Sequence, residues 1–590
     1  MTLDTRTSFN ELTTESKALP IRSRILFDVT DLLNFLEYSK NVTGIQRVQL
    51  EAVRAQISDE NTKVECCYFS RDRLWHTMAA PRFLEAFEKF DMNPETGVLE
   101  IALLRKECLN NPEVAFADQD VLYFLGATWS LPGFFESLRD LRESGVRFAF
   151  FIHDLLPLKH PEYFDKTHAI ASSYWFNNVL FWADTLICNS PETKADIDQF
   201  TNFEGPVSVA SLNIRPPFLN LGIDETAAAG PSILTLNNLD HVPFILMVGT
   251  VEPRKNHIAA INAWSVMKAK LGDACPKLVL VGKTGWKYEA IFHLIEAMNR
   301  DDGIVWLQSV SEVDLGTLYS SCLFSLYISR AEGWGLPITE SLAAGKVCVS
   351  GYASGSVEAC QSLTVQTDEQ SERDITATIM NLVQNPGILR AAENRIRKEA
   401  QFKTWSEYTQ DLVECGQSVL LAPRKDALAT LGTGVSYAFG QAKAVSIGAH
   451  ETTGEILRTG KNWHHPDVWG SWVSANHSGV AFRVPRAGKY DCYIMVKAPP
   501  GGAEISVKFR SDTVWCRDVT GDNFLKFGLG KLAPSEAIHI EIVTNRVADL
   551  SKDDTTADQR ILGCAWRELR IIESNDLEAR LEALEHFVSL

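Results

Sequence analysis

Along residues 22–420, short unbroken apolar runs alternate with stretches in which apolar positions recur every three or four residues. The runs are RILFDVT, KVECCYFS, DVLYFLG, VRFAFFIHD and DTLICNS, then FILMVGT, KLVLVGK, GIVWLQ, LFSLYIS and KVCVSG. Continuous runs rich in β-branched and aromatic residues predict strands buried on both faces. Helical intervals between them predict right-handed βαβ crossovers and parallel sheets. The alternation pauses at IRPPFLNLGIDETAAAGPSILTLNNLDHVP, where Pro and Gly punctuation reads as a linker. The expected fold is therefore α/β. Two doubly wound, Rossmann-like domains cover 23–225 and 226–403, after a polar tail at 1–22.

A helix is expected over 404–420 and a looser linker over 421–435. After that the period changes to two. Tyr490, Cys492, Ile494 and Val496 share one face of a strand, as do Ile505, Val507 and Phe509, and Ile538, Ile540 and Ile542. Alternation of this kind belongs to half-buried antiparallel strands, so residues 436–573 predict a β-sandwich. Trp463, Trp469 and Trp472 fall in this domain; they read as core, with a sugar-stacking platform as the alternative. The final segment, 574–590, predicts an amphipathic helix whose apolar stripe is Leu577, Leu581, Leu584 and Val588.

The chain has 590 residues, too many for one core, and a net charge of −18, from 57 basic and 75 acidic residues. That balance argues against nucleic acid as a partner, whereas a few local cations can still hold a small anion. No run reaches the ~18 apolar residues of a membrane span, and the first residues lack the apolar core of a signal peptide. Twelve scattered cysteines in apolar settings, without CxxC spacing, suggest free thiols and a cytoplasmic address. Peripheral association with the inner face of the cell membrane is compatible with this.

The candidate chemistry gathers at predicted strand ends. AEGWGLPITESLAAG (331–345) runs from a strand into a helix, with Pro337 near its start and Gly345 as its stop. Gly333 and Gly335 let backbone N–H groups approach a ligand, and the helix start offers unpaired donors: an anion seat. Glu332 and Glu340 would repel a phosphate unless they face hydroxyl groups, which a nucleotide-sugar carries at both its sugar and its ribose. MVGTVEPRKNH (247–257) places Arg254 and Lys255 after a strand, where a diphosphate needs neutralisation. Gly249 and Thr250 open that loop. LVLVGKTGWKYEAI (278–291) is a third strand–glycine–helix segment, with Gly282 and Lys283. In the first domain FAFFIHDLLPLKHPEYF puts His153 and Asp154 at a strand end, Asp154 alternatively capping the next turn. After the first strand, Thr43 and Gln46 read as a capping box, Gly44 lets a ligand approach the helix start, and Arg47 points near the cleft. Asp196 and Asp198 spell a DxD within a helix and are rejected as a metal site; Ser190 reads as a structural N-cap.

The EGWGLPITE string, the RKN loop and the HDLLP string resemble family 4 of the retaining glycosyltransferases, the group 1 type, over about residues 24–420. The form GT-x-E-P-R-K-N is similar to bacterial mannosyltransferases of surface-polysaccharide pathways. The resemblance implies a GT-B fold with the active site between the two domains. It implies that Glu332 and His153 stand beside the donor sugar, that Arg254 and Lys255 meet the phosphates and that Glu340 holds the ribose. The backbone of Gly333, Trp334, Gly335 and Leu336 would contact sugar and phosphate, and Gly249, Thr250, Gly282 and Lys283 would line the donor side. Gly44, Arg47 and Asp154 would lie on the acceptor side. Many members carry an Arg directly after the loop glycine, where this chain has Thr250. The implied reaction moves a hexose, with mannose from GDP-mannose foremost, from a nucleotide-sugar to a glycan or lipid-linked glycan, without metal or other cofactor. A GT-B epimerase and a non-catalytic glycan-binding scaffold are the alternatives.

Overall fold

The computed structural model describes residues 24–589 apart from 40, 41, 43, 59–63, 129, 130, 217, 219–231, 299–302, 353, 354, 442–451 and 553–556. The polar tail, Thr43 and residues 217 and 219–231 of the interdomain linker lie outside the described residues. Each apolar run in the first 420 residues is a strand. In the first domain these are β1 (Ile25–Asp28), β2 (Val64–Phe69), β4 (Val121–Phe124), β5 (Arg147–Ile152) and β6 (Thr185–Cys188). Two strands went unforeseen: β3 (Trp75–Met78) and β7 (Val207–Val209). The sheet order is β3–β2–β1–β4–β5–β6–β7, parallel except for the β2–β3 pair. Phe124, Phe134, Phe148 and Phe150 fill one side of it, the Phe124 and Phe150 rings lying 4.4 Å apart. A fully buried phenylalanine of this kind is worth ~1.5–3 kcal/mol in transfer alone.

The second domain carries β8 (Phe244–Val248), β9 (Lys277–Val281), β10 (Ile304–Leu307), β11 (Phe324–Tyr327), β12 (Cys348–Ser350) and β13 (Val365–Gln366). Their order, β10–β9–β8–β11–β12–β13, is parallel throughout. Two doubly wound sheets with helical crossovers are the GT-B architecture expected from the sequence. The helix Trp405–Gln417 opens on a full capping box between Thr404 and Glu407 and returns to the first domain, where Tyr123 donates its hydroxyl to the Val413 carbonyl at 2.8 Å.

Among the described residues, the remaining chain forms two facing five-stranded sheets and a small two-stranded one. The expected alternation is present: Tyr490, Cys492, Ile494, Val496, Ile505, Val507, Ile538, Ile540 and Ile542 are all fully buried. Trp463 is core, stacked on Phe439 at 5.8 Å, and Trp472 is buried as well. The last helix, Leu577–Ser589, departs from expectation. It docks on its own domain through Ala583 and Phe587, packed with Tyr493, Met495 and Ile572; of the expected stripe Leu584 packs beside them, while Leu577, Leu581 and Val588 stay exposed. The docked face lies roughly a quarter-turn from the stripe read from the sequence. Small Ala583 permits close approach, and the Phe587 ring stacks on Phe524 at 5.0 Å.

The sandwich is seated on the first domain. Arg139 donates to the carbonyls of Ala427 (3.0 Å) and Ile456 (2.6 Å), and Arg458 pairs with Glu136 at 3.1 Å. Buried Glu455 accepts from the Tyr174 hydroxyl and from Asn178 Nδ2.

Candidate active site

In parallel sheets, ligands bind beyond the carboxyl ends of the strands. Those ends here present the loops after β1, β4 and β5 to the loops after β8, β9 and β11. Gly249 and Gly282 close two of the latter. A Cβ at Gly282 would lie 2.0 Å from the Gly249 carbonyl oxygen, so the two turns can only stack without a side chain there. Thr250 is exposed beside them. Lys283 is exposed and reaches across the cleft, its Nζ donating to Ser39 Oγ at 3.0 Å.

The centre of the second domain is an ion cluster. Glu332 Oε2 lies 2.9 Å from Arg254 Nη1, and Glu332 Oε1 lies 2.5 Å from Lys255 Nζ. Lys255 also donates to the Tyr327 hydroxyl at 3.0 Å, and Arg254 pairs with Glu252 at 2.7 Å. Glu332 is 7% exposed. Burial alone would push its carboxyl up, but Arg254 and Lys255 outweigh that and hold it at about 2. Burial pushes the Lys255 ammonium down, against the pull of Glu332. The two cations expected on the donor phosphates thus share Glu332 as counter-ion.

Behind this cluster, Gly335 takes φ 112° and caps the helix Leu336–Ala343, which Gly345 ends at φ 71°. Trp334 is buried, with its indole N–H directed to Thr339 Oγ1 at 3.3 Å. A Cβ at Gly333 would meet the His153 carbonyl oxygen at 2.3 Å and Asp154 Cβ at 2.9 Å. The EGWG loop and the HDLLP loop are therefore in contact, one from each domain.

His153 Nε2–H donates to the Leu125 carbonyl at 2.8 Å, which leaves Nδ1 as the acceptor of a neutral ring. Burial lowers its pKa to about 4, so it is uncharged at neutral pH. Asp154 Oδ1 accepts from the Leu156 N–H at 2.9 Å, the turn-capping alternative. Burial raises its pKa and nearby Arg254 opposes that. A cavity of about 160 Å³ adjoins these groups, lined by His153, Asp154, Arg254, Phe164, Trp175 and Phe176.

Glu340 and Arg47 meet across the cleft at 3.2 Å, and Arg47 also pairs with Glu312. Tyr319 donates its hydroxyl to the other Glu340 oxygen at 2.8 Å. Arg47, expected on the acceptor side, is thus committed to the donor domain. Its helix begins at Ile45 with Gly44 as N-cap, φ 53°, and without a side-chain cap. Gln46 does not close a capping box; its Nε2 lies 3.3 Å from Asp31 Oδ2. Nothing lies within 4 Å of a Cβ built on Gly44, so the approach to that helix start is open. Ser190 is the N-cap of Pro191–Phe200, while Asp196 pairs with Lys159 and Asp198 with Lys194. Tyr319, Tyr327, Glu252 and Glu312 were not singled out from the sequence. Tyr327 closes the strand that precedes the EGWG loop, and Glu252 stands two residues before Arg254, so position alone could have drawn attention to both.

Residues 236–401 match the family model described as glycosyl transferases group 1. That span holds the whole Arg254–Lys255–Glu332–Glu340 constellation. The second domain is thus similar to the group 1 glycosyl transferases over these residues. The group 1 match agrees with the family read from the EGWGLPITE and RKN motifs. Across 238 residues the chain is 27% identical to the serotype-specific mannosyltransferase WbdA of Escherichia coli, covering 39% of this chain and 29% of that protein. It is 24% identical over 262 residues to the O-antigen chain mannosyltransferase B of Escherichia coli, covering 44% of this chain and 68% of the relative. The chain thus spans less than a third of the length of WbdA. Among solved structures, the sucrose-phosphate synthase of Thermosynechococcus elongatus is similar at a TM-score of 0.44 and 14% identity, over 68% of this chain and 100% of that one. No helix among the described residues is long and apolar enough to cross a membrane.

Proposed function

We propose that this group 1 glycosyl transferase moves a hexose, mannose from GDP-mannose, to a glycan or lipid-linked glycan with retention of configuration. The observation that carries the reading is the Arg254–Glu332–Lys255 cluster at the carboxyl ends of the second sheet. A nucleoside diphosphate leaving group needs charge neutralised on its β-phosphate more than it needs a proton. Two buried cations and the helix start behind Gly335 supply that in a site where water screens little. Arg254 and Lys255 take the diphosphate, so no divalent ion is required by the charge balance. Glu332, freed from part of its double ion pair, turns to a hydroxyl of the donor sugar. Neutral His153 accepts a hydrogen bond from the sugar at Nδ1, and the departing phosphate accepts the acceptor's proton. Closure of the two domains excludes the water that would hydrolyse the donor.

The choice of mannose is supported by the names of the curated relatives, and a polysaccharide pathway by the O-antigen role in one of those names. The test is to incubate the full chain with GDP-mannose, UDP-glucose and a dTDP-hexose, with and without a mannose-terminated acceptor, in excess EDTA. Release of GDP from GDP-mannose, accelerated by the acceptor and unaffected by EDTA, is expected, with an α-linked product. Epimerised donor without transfer would assign another reaction, and activity restored only by magnesium or manganese would reject the metal-free chemistry.

A further inference from the structure

Trp463 and Trp566 are spent in the sandwich core and Trp472 is buried, while Trp469 is half-buried beside it. Away from the catalytic cleft, a cavity of about 430 Å³ opens where the sandwich meets the first domain. Its walls are the helix Phe134–Glu143, the turn between β2 and β3, and the sandwich segment Arg458–Lys461. This volume falls in the ~300–1,000 Å³ range of small-molecule sites.

We propose that this cleft is a second saccharide-binding site, holding a neutral stretch of the acceptor glycan away from the reacting centre. Four cations, Arg73, Arg139, Arg458 and Lys461, and three acids, Glu113, Glu136 and Asp140, stand in its walls. An anion would meet three carboxylates, and an apolar ligand would strip water from seven charges. A neutral polyol suits both signs, because each hydroxyl donates and accepts. Glu136 and Arg458 pair at 3.1 Å within this wall.

The location suits a long acceptor. The turn carrying Arg73 follows the carboxyl end of β2, and Gly133 closes the loop that follows β4. His153 and Asp154 follow β5 in the same sheet, and the cleft runs along the helix Phe134–Glu143 from that edge, near Gly133, to the opposite one, near Ser144. Arg73 fixes the mouth by donating to the carbonyls of Lys461 (2.6 Å) and Trp463. The identity of the sugar rests on the proposed function; the existence of the site does not.

Titration of the full chain with α-linked mannotriose, in saturating GDP, tests it. Ser144→Trp and Lys461→Ala change exposed residues of the wall, and thermal unfolding verifies that both variants fold. Expected is trisaccharide binding that survives GDP and weakens by about tenfold or more in the variants, a difference of ~1.4 kcal/mol. Transfer to a long acceptor should fall relative to donor hydrolysis in the same variants. Absence of binding to the parent chain, or equal binding to all three proteins, overturns the site. Loss of donor hydrolysis with trisaccharide binding intact would instead strike the proposed reaction.

Discussion

The guanidinium of Arg47 and the carboxylate of Glu340 stand 3.2 Å apart on opposite walls of the cleft, each domain giving one half of a largely buried ion pair. Burial pushes the Glu340 carboxyl up, and Arg47 is the main force opposing it. Arg47 also holds Glu312. A ribose that hydrogen-bonds Glu340 therefore competes with a residue of the facing domain.

Arg47→Met removes that competitor, and GDP affinity should rise by up to about tenfold, since a ligand loses apparent affinity in proportion to the population that excludes it. Glu340→Gln should weaken GDP instead. Calorimetric titration of both variants decides: weaker binding in Arg47→Met would mean that Arg47 itself contacts the nucleotide.

Glu332→Ala should lower turnover by about 10²-fold or more if Glu332 acts on the sugar in the transition state. It also leaves Arg254 and Lys255 without their shared counter-ion, which for a buried pair costs ~3–5 kcal/mol. Added GDP supplies the missing negative charge, so the melting temperature of Glu332→Ala should rise more on GDP addition than that of the parent chain. An equal rise in both would separate the two cations from the diphosphate.

The strand runs and the three strand–glycine–helix turns were legible because buried parallel strands leave continuous apolar strings and turns that need glycine leave glycine. The partners of the site residues were not. Glu340 meets Arg47 over a separation of 293 residues, a proximity produced by domain packing and not by local pattern. The edge strand Trp75–Met78 was missed because it is short and includes polar His76 and Thr77. In the last helix, periodicity identified an apolar stripe, but docking selected the face where Ala583 lets the backbone approach.

Gly333→Ala should keep the fold and lower turnover. The added methyl falls 2.3 Å from the His153 carbonyl, so the two loops must part. Displacements of about 1 Å at a reacting centre cost ~10²-fold in rate. Turnover equal to that of the parent chain would show that the cleft works more open than the structure has it.

Acid should destabilise the second domain through His257, which is 1% exposed and held by burial at a pKa of about 4. The unfolded ring titrates near 6.5, so its contribution is complete above that pH and is lost as pH falls toward 4, amounting to on the order of 3 kcal/mol. His153 acts in the same direction in the first domain. Denaturant unfolding at pH 7, 5.5 and 4.5 should show the fall, flattened in His257→Gln. An unchanged slope in that variant would place the acid sensitivity elsewhere.

A chain ending at Leu421 keeps every residue assigned to donor chemistry, together with the crossing helix, yet it should be markedly less stable. Removing the sandwich takes the carbonyls of Ala427 and Ile456 from buried Arg139, and Glu455 from Tyr174 and Asn178. It also removes Arg458 from Glu136 and uncovers Phe181, which packs against the sandwich core. The exposed surface then mixes unpaired charge with apolar area, a combination that favours aggregation. The expected outcome is a lower melting temperature and loss of soluble protein, with donor hydrolysis retained in the soluble fraction. Arg139→Gln with Phe181→Ser should recover solubility without touching the cleft. If the shortened chain instead melts at the temperature of the full one, the contacts between Arg139 and the sandwich contribute nothing to the fold, and the domain is a loosely held appendage. If the shortened chain is soluble but no longer hydrolyses donor, the sandwich shapes the catalytic cleft through the helix Phe134–Glu143, which separates β4 from the strand bearing His153.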